Sequence, residues 1–109
     1  MLIFSWICVD VSGGGIMIHE LKILPEYYNA IAFGHKTFEV RKNDRDYKIG
    51  DWLLLKEWDG QKYTGRTLKR YVAYVFYGNS TNEVFGIKPG HCVMALKRSA
   101  PMRYIDGDF

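Results

Sequence analysis

Apolar and polar residues alternate along several short stretches of this chain, and Gly, Pro, Asn and Asp separate these stretches at close intervals. Alternation with a period of two is typical of a β-strand, because successive side chains of a strand point to opposite faces of its sheet. Clustered turn-forming residues are typical of the loops between strands. The pattern predicts about five strands, over residues 18–23, 37–42, 52–58, 66–77 and 91–97.

One stretch has the spacing of a helix instead. Pro25 suits the first helical turn, Glu26 lies near the positive end of the helix dipole, and Gly34 provides a stop signal. Tyr27 and Ile31 are four residues apart and therefore share one face. These features predict a helix over residues 25–33. One helix and about five strands predict an α+β, mainly β fold, in which a small, partly open barrel carries one packed helix.

The chain has 109 residues, which is enough for one domain. An apolar run from Leu2 to Val9 is too short to cross a bilayer and lacks the basic residues that precede the core of a signal peptide. We expect residues 1–16 to be an N-terminal appendage that is disordered, a loose extra strand or foreign to the native protein. Residues 17–109 are then the functional domain, with no membrane association.

The overall charge is mildly basic, with a net charge of +3, which permits an anionic partner without requiring one. Cys8 and Cys92 are far apart and form no CxxC pair, so we expect reduced thiols in a cytoplasmic protein. The three histidines, His19, His35 and His91, lack the spacing of metal ligands. We therefore predict no metal site and no cofactor.

The segment from Lys36 to Arg41 concentrates polar chemistry. On a strand, Thr37, Glu39 and Arg41 form one row, and Lys36 enters from the preceding turn. Lysine and arginine can donate hydrogen bonds to a phosphate or carbonyl group, and glutamate can accept from an amino group or a hydroxyl. The alternative is the solvated face of an amphipathic strand, whose surface ion pairs contribute only about 0–1 kcal/mol.

A family resemblance favours a ligand site here. The spacing Gly34-x-Lys36-x-x-Glu39-x-Arg41 resembles the signature of ASCH domains, a branch of the PUA-like superfamily, and the ordered residues from His19 to Arg66 resemble small uncharacterised bacterial and phage ASCH-like proteins. The resemblance covers about residues 17–96. It implies a PUA-like β-barrel with a cleft beside the helix, lined by the motif's lysine, glutamate and arginine, that binds RNA or a modified nucleotide.

The same resemblance leaves an enzymatic alternative open. Some small ASCH proteins are amidohydrolases on acylated cytidine that use a lysine, a threonine nucleophile and a distant glutamate. Lys36 matches the lysine, but Glu39 occupies the position of the threonine. Thr37 lies about 6–7 Å away along the strand, too far to attack the same carbon in the same pose. An amidohydrolase or a ribonuclease, with Lys36 and Glu39 as the catalytic residues, therefore stands as the second hypothesis.

Three residues outside this segment are further ligand candidates. Arg45 belongs to the polar turn over residues 43–46, whose simpler interpretation is a structural turn with self-paired charges. Trp58 precedes a hairpin turn and could stack on a base or be half-buried beside the turn, while Arg66 begins a strand at a position suited to a phosphate contact. His35, next to Lys36, is a candidate proton donor in the cleft. A protein-interaction module is a third hypothesis without distinctive support in the sequence.

Overall fold

The computed structural model describes residues 6–11, 14–79 and 85–101. The predicted mainly-β fold with one helix is confirmed, and the described residues contain six strands. The elements are β1 (Trp6–Val11), β2 (Gly14–Ile23), α1 (Pro25–Ala32), β3 (Phe38–Lys42), β4 (Trp52–Trp58), β5 (Tyr63–Tyr77) and β6 (His91–Lys97).

The six strands form one sheet in the order β1-β2-β4-β5-β6-β3. β2 and β4 are parallel, and the other neighbours are antiparallel. β1 lies inside the stretch expected to be an appendage and pairs with β2 from Trp6↔His19 to Val11↔Gly14. Residues 1–5 and 12–13 of that stretch lie outside the described residues, and the boundary at residue 17 stays a prediction.

The length of β5 makes the sheet curl. This strand of 15 residues pairs with β4 along its first half and with β6 along its second half. A register shift between Val72 and Tyr74 marks a bulge, which bends a strand and increases its twist. Because of this bulge, Val72 and Val75 are both buried although they are three residues apart. The sheet becomes a curled half-barrel with its concave face on the core.

The core fills the concave face of the half-barrel. In β4, Leu53 and Leu55 are completely buried, and α1 adds Tyr28 and Ile31 from its inner side. The Tyr28 hydroxyl donates a hydrogen bond of 3.0 Å to the carbonyl of Thr67 in β5, which fixes the helix to the sheet. The complete cluster also contains Leu21, Ile23, Tyr47, Val72, Val75, Cys92, Met94 and Leu96.

Two arginine side chains bridge the gap between β3 and the end of β2, which we term the seam. Arg41 Nη2 donates a hydrogen bond of 2.7 Å to the carbonyl of Lys22. Arg45 Nη1 donates one of 2.6 Å to the carbonyl of Glu20. Arg45 is itself buried. The half-barrel is thus linked across its open side by charge-assisted hydrogen bonds rather than by a strand ladder.

We expect Leu53→Ala to lower the free energy of unfolding by about 2–5 kcal/mol, because it leaves a cavity in a closely packed core. Equilibrium denaturation in urea measures this change. Ile49→Ala is the control, since Ile49 is exposed and its replacement should change the free energy by less than about 0.5 kcal/mol. Equal losses in the two variants would contradict this assignment of the core.

Candidate functional site

The turn after α1 delivers Lys36 to the start of β3. Gly34 has a φ of +82°, a left-handed conformation that suits glycine at the end of a helix. The amide groups of His35 and Lys36 then both donate to the carbonyl of Ala30 at 2.9 Å. This fold of the backbone places the Lys36 side chain beside the first residues of the strand.

The side chains of Lys36, Glu39 and Arg41 meet around the Glu39 carboxylate. Lys36 Nζ lies 2.6 Å from Glu39 Oε1, and Arg41 Nε lies 2.6 Å from Glu39 Oε2. Glu39 is only 5% exposed. A carboxylate can remain charged in such a buried position when cations neutralise it and hydrogen bonds satisfy its oxygens.

The alternative of a solvated polar face on this strand is wrong. The polar row of β3 faces inward, whereas Phe38 and Val40 are 45% and 55% exposed. The physical reason is the pair of cations around Glu39, which compensates the cost of removing its charge from water. The usual polarity of an amphipathic strand is therefore inverted in β3.

These three residues line a cleft of about 450 Å³ between the end of β2, the start of α1 and β3. The lining combines charged and apolar side chains: Lys22, Ile23, Leu24, Tyr27, Lys36, Glu39, Val40 and Arg41. Three cations and one carboxylate give the cleft a formal excess of two positive charges. The structure therefore brings the central three predicted residues together in one concave, positively charged site.

The cations of the cleft retain hydrogen-bonding capacity. Lys36 donates to the Glu39 carboxylate and, at 2.8 Å, to the Phe38 carbonyl, which occupies two of its three ammonium hydrogens. Arg41 uses its Nε–H and one Nη2–H in the described contacts, out of five N–H donors. The remaining donors can bind an anionic or carbonyl oxygen.

Thr37, Arg45 and His35 do not line the cleft. Thr37 is exposed, and its carbonyl accepts a hydrogen bond of 2.8 Å from the amide of Leu96. Arg45 belongs to the seam, where it donates a hydrogen bond to the Glu20 carbonyl. The interpretation of residues 43–46 as a turn with self-paired charges does not include this bond. His35 is exposed and lies near the ring of Phe33.

Arg66 forms a structural clamp instead of contributing to the cleft. Its Nε and Nη2 atoms bind the two oxygens of Glu57 at 2.8 and 2.7 Å, and Nη2 also donates to Asn29 Oδ1 at 2.9 Å. The guanidinium lies 4.3 Å from the centre of the Tyr28 ring. Arg66 thereby connects β4 and β5 to the helix.

Trp58 is half-buried, as predicted for a residue beside the hairpin, and it is linked to the cleft indirectly. Its ring packs edge-on against Tyr63, with 5.0 Å between the ring centres. Lys22, which lines the cleft, places Nζ 3.9 Å from the centre of the Trp58 ring. The Trp58 ring thus supports a cation of the cleft wall through a cation–π contact.

The sequence reasoning missed the wall of the cleft opposite β3. Lys22, Leu24 and Tyr27 come from the strand end and the helix start, nine to fourteen positions before Lys36. The signal that could have drawn attention to this wall is the helix start at Pro25-Glu26-Tyr27. Lys22 has the pattern of an ordinary exposed strand residue.

No group of three or more His, Cys, Asp or Glu side chains among the described residues could hold a metal ion. His19 is completely buried, where Nε2 lies 2.8 Å from Asp51 Oδ2 and the ring packs edge-on against Tyr47. Cys92 is also buried, and burial raises the pKa of its thiol. These groups support the core.

The chain belongs to the family described as a domain of unknown function, DUF3850, whose model matches residues 18–96. It is also similar to an uncharacterised 12.9 kDa protein in the GpA 3′ region of Escherichia phage P2, with 40% identity over 58 residues. That alignment covers 53% of this chain and 53% of the phage protein, so the chain spans about half the length of this relative.

The one described helix, α1, has eight residues, and no helix in the described part of the chain is long and apolar enough to cross a membrane.

Glu57→Gln should destabilise the protein at neutral pH by more than it does in acid. Hydrogen bonds from Arg66 and then Thr64 lower the pKa of Glu57 from 4.5 to about 2. A lowered pKa in the folded state stabilises the fold above pH 4.5, and this contribution is lost as the pH falls from 4.5 towards 2. Urea denaturation at several pH values measures the difference between the two proteins.

Asp46→Asn is the control for this experiment, because Asp46 and its partner Lys48 are both largely exposed. If the wild type and Glu57→Gln differ in free energy of unfolding by the same amount from pH 6 to pH 2.5, that result would show that the Arg66 clamp does not depend on the Glu57 charge.

Proposed function

We propose that this chain is an ASCH-like, PUA-like module that binds RNA or a modified nucleotide in the cleft of Lys36, Glu39 and Arg41. The observation that carries the proposal is the buried Glu39 carboxylate held between two cations in a concave site with excess positive charge. The cleft volume of about 450 Å³ lies within the range of about 300–1,000 Å³ found for small-molecule sites.

The chemistry of the lining suits a nucleotide. The open donors of Lys36 and Arg41 can bind a phosphate or a base carbonyl. Each oxygen of Glu39 accepts one described hydrogen bond, which leaves acceptor capacity for an amino group or a ribose hydroxyl. The ring of Tyr27, which is partly exposed, offers an apolar surface on which a base can stack.

The ASCH resemblance and the family match cover nearly the same residues, about 17–96 and 18–96. The similarity to the phage P2 protein supports a shared origin with that small phage protein. Among the residues that the structure describes, none that lines the cleft is a Ser, Thr or Cys that could act as a nucleophile. This favours binding over the covalent amidohydrolase mechanism.

We expect Lys36→Ala and Arg41→Ala each to weaken nucleotide binding about tenfold or more, because each removes a charged hydrogen-bond donor worth about 1.5–3 kcal/mol. Titration calorimetry with nucleoside monophosphates and fluorescence anisotropy with a labelled single-stranded RNA measure the affinity. Lys48→Ala is the matched control, since it removes the same charge from an exposed position outside the cleft. Arg41→Lys tests whether binding needs the planar guanidinium, because this change keeps the positive charge and removes the paired N–H donors.

Absence of binding at low salt, or equal affinities for the wild type and both alanine variants, would refute the proposal. The same samples decide the enzymatic alternative. Turnover of acylated nucleosides or RNA by the wild type, lost in Glu39→Gln with the fold intact, would assign the cleft to a hydrolase.

A further inference from the structure

The outward-facing surface of β3, β6 and the second half of β5 carries two rows of apolar side chains. The strand registers place Phe38 beside Ala95 and Tyr74 in one row, and Val40 beside Val93 and Phe76 in the next. We term these six residues the outer face. Phe85 and Ile87 extend it, because together with Phe76 and Val93 they line an apolar groove of about 400 Å³.

The aromatic residues of the outer face are accessible. Tyr74 is 58% exposed and Phe38 is 45% exposed, and the small Ala95 lies between them in the row. Neighbouring strands are about 4.8 Å apart, so the two aromatic side chains start roughly 10 Å from each other. A contiguous patch of exposed apolar side chains often marks a site at which a protein binds a partner.

Basic residues flank the apolar rows at both ends. Lys42 and His91 are paired beyond the Val40 row, and Lys97 follows Ala95 at the other end of β6. None of the ten paired outward positions that these strands contribute is acidic, namely Phe38, Val40, Lys42, Tyr71, Tyr74, Phe76, His91, Val93, Ala95 and Lys97. Two copies of this face would therefore bring like charges together, whereas a polyanion would meet complementary charge.

The outer face is continuous with the cleft across β3. Val40 belongs to the outer face and also lines the cleft. Its neighbours Glu39 and Arg41 point to the inner side of the same strand. A ligand that leaves the cleft over this strand therefore reaches the aromatic rows directly.

We propose that the ligand is a single-stranded polynucleotide, of which the cleft holds one nucleotide while the outer face stacks its neighbours. This inference rests on the proposed function and adds to the cleft a second contact surface, the outer face, for the neighbouring nucleotides of the strand. Exposed aromatic rings stack on bases of any sequence, and flanking lysines bind phosphates. An open sheet face leaves the polar edges of stacked bases in water, so their hydrogen bonds are not lost.

The test is the dependence of affinity on ligand length. The probes are uridine 5′-monophosphate and oligouridylates of two, four and eight nucleotides, together with the corresponding oligodeoxythymidylates. The wild-type affinity should rise with length, and Phe38→Ala combined with Tyr74→Ala should lower the affinity for the eight-nucleotide strand about tenfold or more. Tyr74→Ala alone should bind the monophosphate as the wild type does, because Tyr74 does not line the cleft, whereas the centre of the Phe38 ring lies 5.1 Å from Lys36 Nζ.

Phe33→Ala is the matched control, because Phe33 is an exposed aromatic residue at the end of α1 and lies outside the cleft and the outer face. An unchanged thermal midpoint shows that the double variant is folded. The RNA and DNA series differ only in the 2′-hydroxyl and the thymine methyl group, so their ratio shows whether the strand is read as RNA.

The outcomes separate the two proposals. The inference is overturned if the monophosphate binds and the oligouridylates bind no more tightly than it does. It is also overturned if the affinity for the octamer is unchanged in the double variant. Either result leaves the cleft proposal standing. Octamer binding that needs Phe38 and Tyr74 but survives Lys36→Ala overturns the cleft proposal, and with it the placement of one nucleotide of the strand in the cleft. A wild-type dimer that becomes monomeric in the double variant assigns the outer face to self-association and overturns the inference. Absence of any binding overturns both proposals.

Discussion

Arg41 is the side chain on which the cleft and the seam both depend, because its guanidinium binds the Glu39 carboxylate and the Lys22 carbonyl at the same time. The first contact holds the buried carboxylate in place, and the second fixes the distance between β3 and β2. A guanidinium can do both, since its five N–H donors lie in one rigid plane.

The two glutamates that are buried in the described part of the chain show how a structural carboxylate differs from one suited to a ligand. Both oxygens of Glu57 are bound by Arg66, and one also accepts from Thr64, so the group is enclosed by its own neighbours. Glu39 accepts one described hydrogen bond at each oxygen and lies beside a cleft. Removing a charge from water costs free energy at both glutamates. At Glu39, a ligand can supply some of the hydrogen bonds that offset this cost.

The sequence predicts most of the elements, because local alternation and turn residues carry that information. The strand over residues 52–58 is predicted to the residue, and β5 begins at Tyr63 instead of Arg66 because a register shift after Lys56 lets the chain pair through Gly65. Alternation shows that two faces of β3 differ, but it does not show which face lies inside. That choice depends on Lys36 and Arg41 meeting Glu39, and the opposite wall of the cleft depends on packing between distant segments.

The inverted polarity of β3 couples the inner and outer surfaces of the half-barrel. Because side chains alternate along a strand, placing Glu39 and Arg41 inside requires Phe38 and Val40 outside. The pairing of Val40 with Val93 fixes this arrangement, and a slip of one residue would exchange the two sets of side chains. Core residues of β6 such as Met94 prevent that slip, because their own alternation is set by burial. The hydrophobic core thus determines, through one strand pairing, both the charge of the cleft and the aromatic character of the outer face.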